Sequence, residues 1–323
     1  MRILLLRGQV PKDRPSQEIC HKSIDEEDDI YSIMASRLGD EHCEILYEGG
    51  KRTVQYSEKC FVRWIPSFRD YKPYREPDVI WARGGFPFYK PILKQFPTAT
   101  KIFYGAGKRY IPKDNIKYDL VLADSIEQQA KIREHGFKSE LWTKPAAPQF
   151  KPIDKQKVYD ICFVAAIPED ERKNVKWVYE TCPQELTVLQ LGYEPRKMKV
   201  PKNFRVRRLQ RHDVPRAMSK CRVGIAPYLK ADSAPRAMVE MIACGLPVVC
   251  LDTVRTTIDA TTASKEAFWD RVMVEIDNWN TNTPRDWRKY YDRKLSMDVA
   301  VECLRRLING NELQECQGDT TPA

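Results

Sequence analysis

The chain has 323 residues, 42% hydrophobic and 31% charged, with a formal net charge of +9. That length exceeds one ordinary core and sets two domains as the expectation, while the hydrophobic share excludes a disordered chain. No run approaches the ~18 apolar residues that a bilayer span needs, and Met1–Arg7 is too short for a signal-peptide core, so a cytoplasmic protein without integral membrane association is expected. The ten cysteines are scattered without CxxC pairs, and several sit in apolar runs, which suits reduced core residues. The four histidines lie at no metal-ligand spacing, so no metal is expected.

In chain order, short apolar runs at Arg2–Gly8, Cys43–Gly49, Cys60–Ile65, Asp78–Arg83, Lys101–Gly107, Asp119–Ser125 and Leu141–Lys144 read as strands apolar on both faces. Helices fit at Ile30–Leu38 and Ile126–His135. Pro66–Pro77 reads as an exposed loop. Lys144–Ile153, with three prolines, is the best interdomain linker. The rhythm then restarts, with strands at Tyr159–Ala166, Leu186–Gly192, Phe204–Gln210, Val223–Tyr228 and Pro247–Leu251. Helices are expected at Val175–Thr181, Val214–Cys221 and Ala234–Cys244, and one long helical pattern runs through Pro284–Asn309. Strands alternating with helices in both halves predict two doubly wound α/β domains. The expected division is 1–147, 148–283, a closing helix over 284–310 that crosses back to the N-terminal domain, and a frayed tail over 311–323.

Asp232–Val249 reads DSAPRAMVEMIACGLPVV. An acid, seven residues, a glutamate and then a small-residue turn into a strand resemble the signature of retaining GT-B glycosyltransferases, family 4 above all. Tyr159–Lys173, YDICFVAAIPEDERK, resembles the first strand of that family's C-terminal domain and the loop after it. The resemblance implies a GT-B fold, two Rossmann-like doubly wound domains facing a cleft. It also implies transfer of a sugar, with retention, from a nucleotide sugar (a UDP-sugar as the expected donor) without a metal or prosthetic group. In that likeness Asp232 binds sugar hydroxyls, Glu240 grips the ribose, and Lys173, with Arg172 beside it, holds the diphosphate. Asp232, Ser233 and Ala234 precede the expected helix, where backbone N–H groups and the helix dipole suit phosphate. Asp232 and Lys173 are therefore the expected catalytic residues. Aspartate replaces the family's usual glutamate at 232, and alanine stands at 165 and 166, where an arginine is usual.

The first half is expected to hold the acceptor. Arg7-Gly8, Arg83-Gly84-Gly85 and the loop with Gly105, Lys108 and Arg109 are glycine turns at strand ends, where open α/β sheets bind ligands. Between Glu194 and Arg222 eleven Lys or Arg face two acids. A solvated basic face or a polyanion surface explains this equally. Pro66–Pro77 interleaves Arg69, Lys72 and Arg75 with Phe68, Tyr71 and Tyr74, a pattern suited to phosphates and stacked bases. With Arg205, Arg207 and Arg208, these are the expected contacts to duplex DNA, and strand alternation lets Arg211 share the side of Arg205 and Arg207. The compact basic chain is similar in type to bacteriophage enzymes that glycosylate hydroxymethylated pyrimidines, which would place it in a host cytoplasm. A polysaccharide or lipid-linked acceptor is the alternative, and a non-catalytic sugar-nucleotide binder is the alternative of another class. The absence of G-x-G-x-x-G and of a P-loop argues against a dinucleotide oxidoreductase and an NTPase.

Overall fold

The computed structural model describes residues 1–9, 23–26, 29–84, 87–105, 111–112, 115–153, 156–229, 235–254, 258, 260–281 and 286–310. The chain forms two compact units, residues 1–142 with 300–323, and residues 143–299.

In chain order the first unit holds β1 (Arg2–Gln9), α1 (Ile30–Leu38), β2 (His42–Glu48), β3 (Arg52–Gln55), β4 (Cys60–Ile65), β5 (Val79–Arg83), α2 (Lys90–Gln95), β6 (Thr100–Tyr104), β7 (Leu120–Ala123), α3 (Ile126–Glu134) and β8 (Ser139–Leu141). Its sheet runs β3-β4-β2-β1-β5-β6-β7-β8. Only the β3–β4 pairing is antiparallel. Without β3, the parallel strands follow the order 3-2-1-4-5-6-7, whose reversal lies between β1 and β5. Leu4, Leu5 and Leu6 are 1%, 0% and 0% exposed. Burying each contributes ~1.5–3 kcal/mol, which fixes β1 at the centre of the sheet.

The second unit holds β9 (Tyr159–Ala165), α4 (Val175–Thr181), β10 (Val188–Gly192), β11 (Phe204–Arg207), α5 (Val214–Ser219), β12 (Cys221–Ala226), α6 (Arg236–Ala243), β13 (Val248–Leu251), β14 (Thr261–Ala263), α7 (Phe268–Asn280) and α8 (Trp287–Lys294), followed by α9 (Met297–Ile308). Every pairing in its sheet is parallel, in the order β11-β10-β9-β12-β13-β14. This is the strand order 3-2-1-4-5-6, reversing between β9 and β12. The ends of β9 and β10 approach closely at Gly192, where φ is +151° and a Cβ would lie 2.0 Å from the Ala165 carbonyl oxygen.

Two sequence expectations change here, the single closing helix and the linker. The closing pattern is two helices, α8 and α9, because the chain breaks at Leu295 and the Ser296 hydroxyl accepts the Val299 N–H at 3.3 Å. Residues from Ala300 onward group with the first unit. The proline-rich stretch after Lys144 is no free linker: Ala146, Ala147 and Phe150 are 0%, 0% and 1% exposed, and Arg288 donates to the Phe150 carbonyl at 3.2 Å. Strands β3 and β14 and helices α2 and α7 carry no expectation from the sequence. The tail after Gly310 lies outside the described residues.

Candidate functional site

In open α/β sheets, ligands bind outside the carboxyl ends of the strands where the order reverses. In the second unit that point lies at the ends of β9 and β12. Tyr228, two residues past β12, is 2% exposed and donates its hydroxyl to the Val164 carbonyl of β9 at 3.0 Å. The loop after β9 folds into a single turn over Glu171–Lys173, which Asn174 ends with φ 55° and ψ 31°. Asparagine tolerates this left-handed conformation better than most residues. The Leu229 N–H donates to the Arg172 carbonyl at 2.9 Å and ties the two loops together.

This geometry separates two neighbouring cations. Arg172 turns to solvent and pairs with Asp170 at 2.7 Å, its side chain 76% exposed. In this geometry the Arg172 guanidinium is turned to Asp170, away from the ring that Lys173 faces. The Lys173 ammonium instead lies 4.0 Å from the centre of the Tyr228 ring. Desolvation holds its pKa below the usual lysine value, against the opposing pull of Asp170. No hydrogen bond or ion pair engages it among the described residues. Close by in sequence, the buried Asn174 Nδ2 also lacks a partner.

Glu240 lies in the middle of α6 and is 3% exposed. A buried carboxylate needs donors. Arg211, in the turn after β11, supplies two, one of them Nη1 to Oε2 at 3.1 Å and the other Nη2 to Oε1. Arg236, one helical turn before Glu240, adds Nε to Oε1 at 2.6 Å. Arg211 also lies 4.4 Å from the centre of the Phe150 ring. It therefore leaves the basic face on which the sequence placed it. Burial, with Cys162 and the charge of Glu240 adding to it, pushes the Tyr228 phenol above its usual range. Helix α6 ends where Gly245 takes φ +83° and donates to the Ile242 carbonyl at 2.8 Å, while Leu246 N–H reaches the Met241 carbonyl at 3.1 Å. That pattern is a Schellman cap. Asp232, Ser233 and Ala234 lie outside the described residues, and the described part of the helix starts at Arg236.

In the first unit the reversal point lies at the ends of β1 and β5. Arg7 and Arg83 stand there, and Arg7 Nε lies 2.8 Å from Asp29, which caps α1. The Tyr31 ring centre is 5.1 Å from the Arg7 guanidinium and 4.4 Å from that of Arg83. Gly8 and Gly84 both take positive φ, 101° and 84°. Gly105 is buried at the end of β6, and Gly85, Lys108 and Arg109 lie outside the described residues.

The proposed base-stacking loop is overturned. Phe68 and Tyr71 are 1% and 3% exposed. Glu44 of β2, itself 1% exposed, draws the loop inward: Tyr71 donates its hydroxyl to Oε2 at 3.1 Å and Tyr74 its N–H to Oε1 at 2.9 Å. Tyr74 stays exposed, but the Arg63 guanidinium covers its ring at 4.3 Å. Arg69, Lys72 and Arg75 remain exposed. Arg205 and Arg207 are exposed on edge strand β11, and Arg208 lies 4.5 Å from the centre of the Tyr193 ring. Sequence reasoning missed Tyr228, Arg211, Asp29 and Tyr31. Of the partners of Glu240, only Arg236 was legible, by its spacing of four on one helix. No group of three or more potential metal ligands occurs among the described residues, and none of their helices is long and apolar enough to cross a membrane.

Residues 158–272 match the family model of Glycosyl transferases group 1. No curated protein sequence matches the chain. Similar solved structures include sucrose-phosphate synthase from Thermosynechococcus elongatus, at 11% identity and TM-score 0.67, covering 96% of this chain and 99% of that one. HepE of Anabaena in complex with UDP-glucose aligns at 9% identity and TM-score 0.60, over 96% and 100% of the two chains. The alpha,alpha-trehalose 6-phosphate synthase from Burkholderia multivorans aligns at 9% identity and TM-score 0.61, over 96% of each. Fold and family match together define the class: a glycosyltransferase of GT-B fold. The family match falls on the second unit, over the segment that carries Lys173, Tyr228 and Glu240.

Proposed function

We propose that the chain transfers a sugar from a UDP-sugar to a hydroxyl acceptor with retention, using the reversal point of the second sheet as its donor site. The observation that carries this reading is Lys173: a half-buried ammonium at the strand ends, in hydrogen-bond or ion-pair contact with no anion among the described residues. The leaving diphosphate gains charge as the glycosidic bond breaks, and a fixed cation there stabilises the transition state more than the ground state. Asp232 would contact the sugar, with Ser233 and Ala234 beside the phosphates. Glu240 would meet the ribose through the acceptor capacity that Arg211 and Arg236 leave on its carboxylate. UDP-glucose in the HepE structure supports the donor class. In this reading the second unit binds the donor and the first the acceptor.

The test is Lys173→Met, which keeps the stem and removes the charge. Turnover should fall on the order of 10²-fold. Full turnover in this variant would put the diphosphate elsewhere.

A second acceptor reading, duplex DNA as in phage base modification, keeps one support: Arg205 and Arg207 are exposed on one edge strand, with Arg208 beside them. Reversing all three to glutamate should abolish DNA binding and spare hydrolysis of the donor. Without the change, affinity should fall with log[salt] at about −0.9 per phosphate contacted. DNA binding that survives the triple reversal removes this surface from the account.

A further inference from the structure

We propose that Tyr228 is a positioning residue for the donor diphosphate, its ring holding the Lys173 ammonium ready for the leaving oxygens; this rests on the reading of Lys173 as the cation of the donor site. Tyr228 follows β12 by two residues and is 2% exposed. Its hydroxyl donates to the Val164 carbonyl of β9 at 3.0 Å. Its carbonyl accepts from the hydroxyl of Thr253, two residues past β13, at 3.4 Å. The next residue, Leu229, donates its N–H at 2.9 Å to the Arg172 carbonyl, on the turn that carries Lys173. The ring is thus anchored to β9, to the segment after β13 and to the lysine's own turn.

A lysine stem has wide rotamer freedom, and ordering it only when the ligand arrives subtracts from affinity. A carboxylate could fix the stem, but it would offset the positive charge and repel a diphosphate. An aromatic face attracts the cation through its quadrupole and brings no formal charge. The Lys173 ammonium lies 4.0 Å from the ring centre. A ring covers one side of an ammonium that carries three donors, so the others stay open to phosphate oxygens. The acids in the neighbourhood are engaged elsewhere, Asp170 by Arg172 and Glu240 by Arg211 and Arg236.

Burial lowers the Lys173 pKa, with Arg172 adding to the fall and Asp170 opposing it. The ring face offsets part of that cost, because it favours the charged form. The phenol itself is no proton donor to the reaction. Its one proton is bound to Val164, and burial, with Cys162 and Glu240 adding to it, raises its pKa. Tyr228 therefore acts through Lys173 and not on the reacting atoms.

The experiment measures UDP affinity by calorimetry for the full chain, Tyr228→Leu, Tyr228→Phe, Lys173→Met and the double variant Tyr228→Leu with Lys173→Met. The Lys173 methylene protons, which an aromatic face shifts upfield, are read by NMR in the same proteins that keep the lysine. Tyr228→Leu should weaken UDP on the order of tenfold, the size of a desolvated contact between a cation and a ring. Tyr228→Phe keeps the ring, guards against a folding defect in the leucine variant and should lose less. In the double variant the leucine should add nothing to the loss in Lys173→Met, because the ring works through the ammonium. The upfield shift should appear in the wild type and in Tyr228→Phe, persist with UDP bound, and vanish in Tyr228→Leu. UDP affinity unchanged in Tyr228→Leu, or lowered equally with and without Lys173, makes Tyr228 a core residue and overturns the proposal while the donor reading stands. An upfield shift that UDP abolishes overturns it too, since the ring would then release the lysine. UDP affinity unchanged in Lys173→Met strikes the donor role of Lys173 itself, and the proposal with it.

Discussion

At the reversal point of each sheet a cation lies over a tyrosine ring, Lys173 over Tyr228 at 4.0 Å and Arg83 over Tyr31 at 4.4 Å. The two units use the same strand order and the same kind of contact, yet their neighbourhoods differ. Around Lys173 the other charges are already matched, Arg172 by Asp170 and Glu240 by Arg211 and Arg236. In the first unit Arg83 shares the Tyr31 ring with a second guanidinium, that of Arg7. One topology thus carries a single desolvated point charge in one unit and a two-pronged fork in the other. An ammonium can give up its proton and a guanidinium cannot, so the charge of Lys173 should depend on alkaline pH while those of Arg7 and Arg83 should not.

The largest expected effect tests the frame of the second site. Gly192→Ala would put a Cβ 2.0 Å from the Ala165 backbone oxygen at φ +151°. With a backbone atom in the way and a conformation few side chains adopt, the cost should be about 3 kcal/mol or more in urea unfolding. Gly136 of the first unit gives the control. Its φ is +81°, but an added Cβ meets nothing within 4 Å. Gly136→Ala should cost only ~1–2 kcal/mol, the intrinsic left-handed penalty. Equal losses in the two variants would mean that the approach of β9 to β10 is not a constraint.

The next effect separates matched from unmatched charge. Arg211→Met leaves Glu240, 3% exposed, with Arg236 alone. Loss of a charge-assisted bond to a buried carboxylate should lower stability by about 1.5–3 kcal/mol. Arg83→Gln breaks no ion pair to a described residue and gives up only the Tyr31 ring contact, so it should cost about 0.5–1 kcal/mol. If Arg83→Gln destabilises as much as Arg211→Met, the first unit's arginines have partners in the fold and the contrast collapses.

How much of this was legible depended on the range of the interactions. Strands with a buried apolar face announced themselves, and β4 falls on the same residues, Cys60–Ile65, that the apolar run marks. Strand β3, Arg52–Gln55, did not, because an exposed edge strand has no face to make apolar. Lys173 and Glu240 stood out through a local motif, and Arg236 through helical spacing. Arg211 meets Glu240 across 29 residues, a pairing that no local pattern encodes. The aromatics of Pro66–Pro77 misled for the same reason. Their inward turn is set by Glu44 on another strand, and an interleaved loop looks alike whether its rings face solvent or core.

The smallest effect concerns protons. Burial holds the Lys173 pKa below the ordinary lysine value of 10.5, so the unfolded chain binds a proton more readily than the folded one. Between the lowered folded value and 10.5 the unfolded state carries more protons, and this residue's contribution to stability rises with pH across that window. Donor binding runs the other way. The diphosphate requires the ammonium, so UDP affinity should fall as pH climbs through the same window, starting below the pH at which an exposed lysine would titrate. Lys173→Arg should flatten the alkaline loss of UDP binding, since a guanidinium stays charged throughout, whatever the change in absolute affinity. A UDP profile that keeps its alkaline fall in Lys173→Arg would assign the titration to another group and remove Lys173 from contact with the diphosphate.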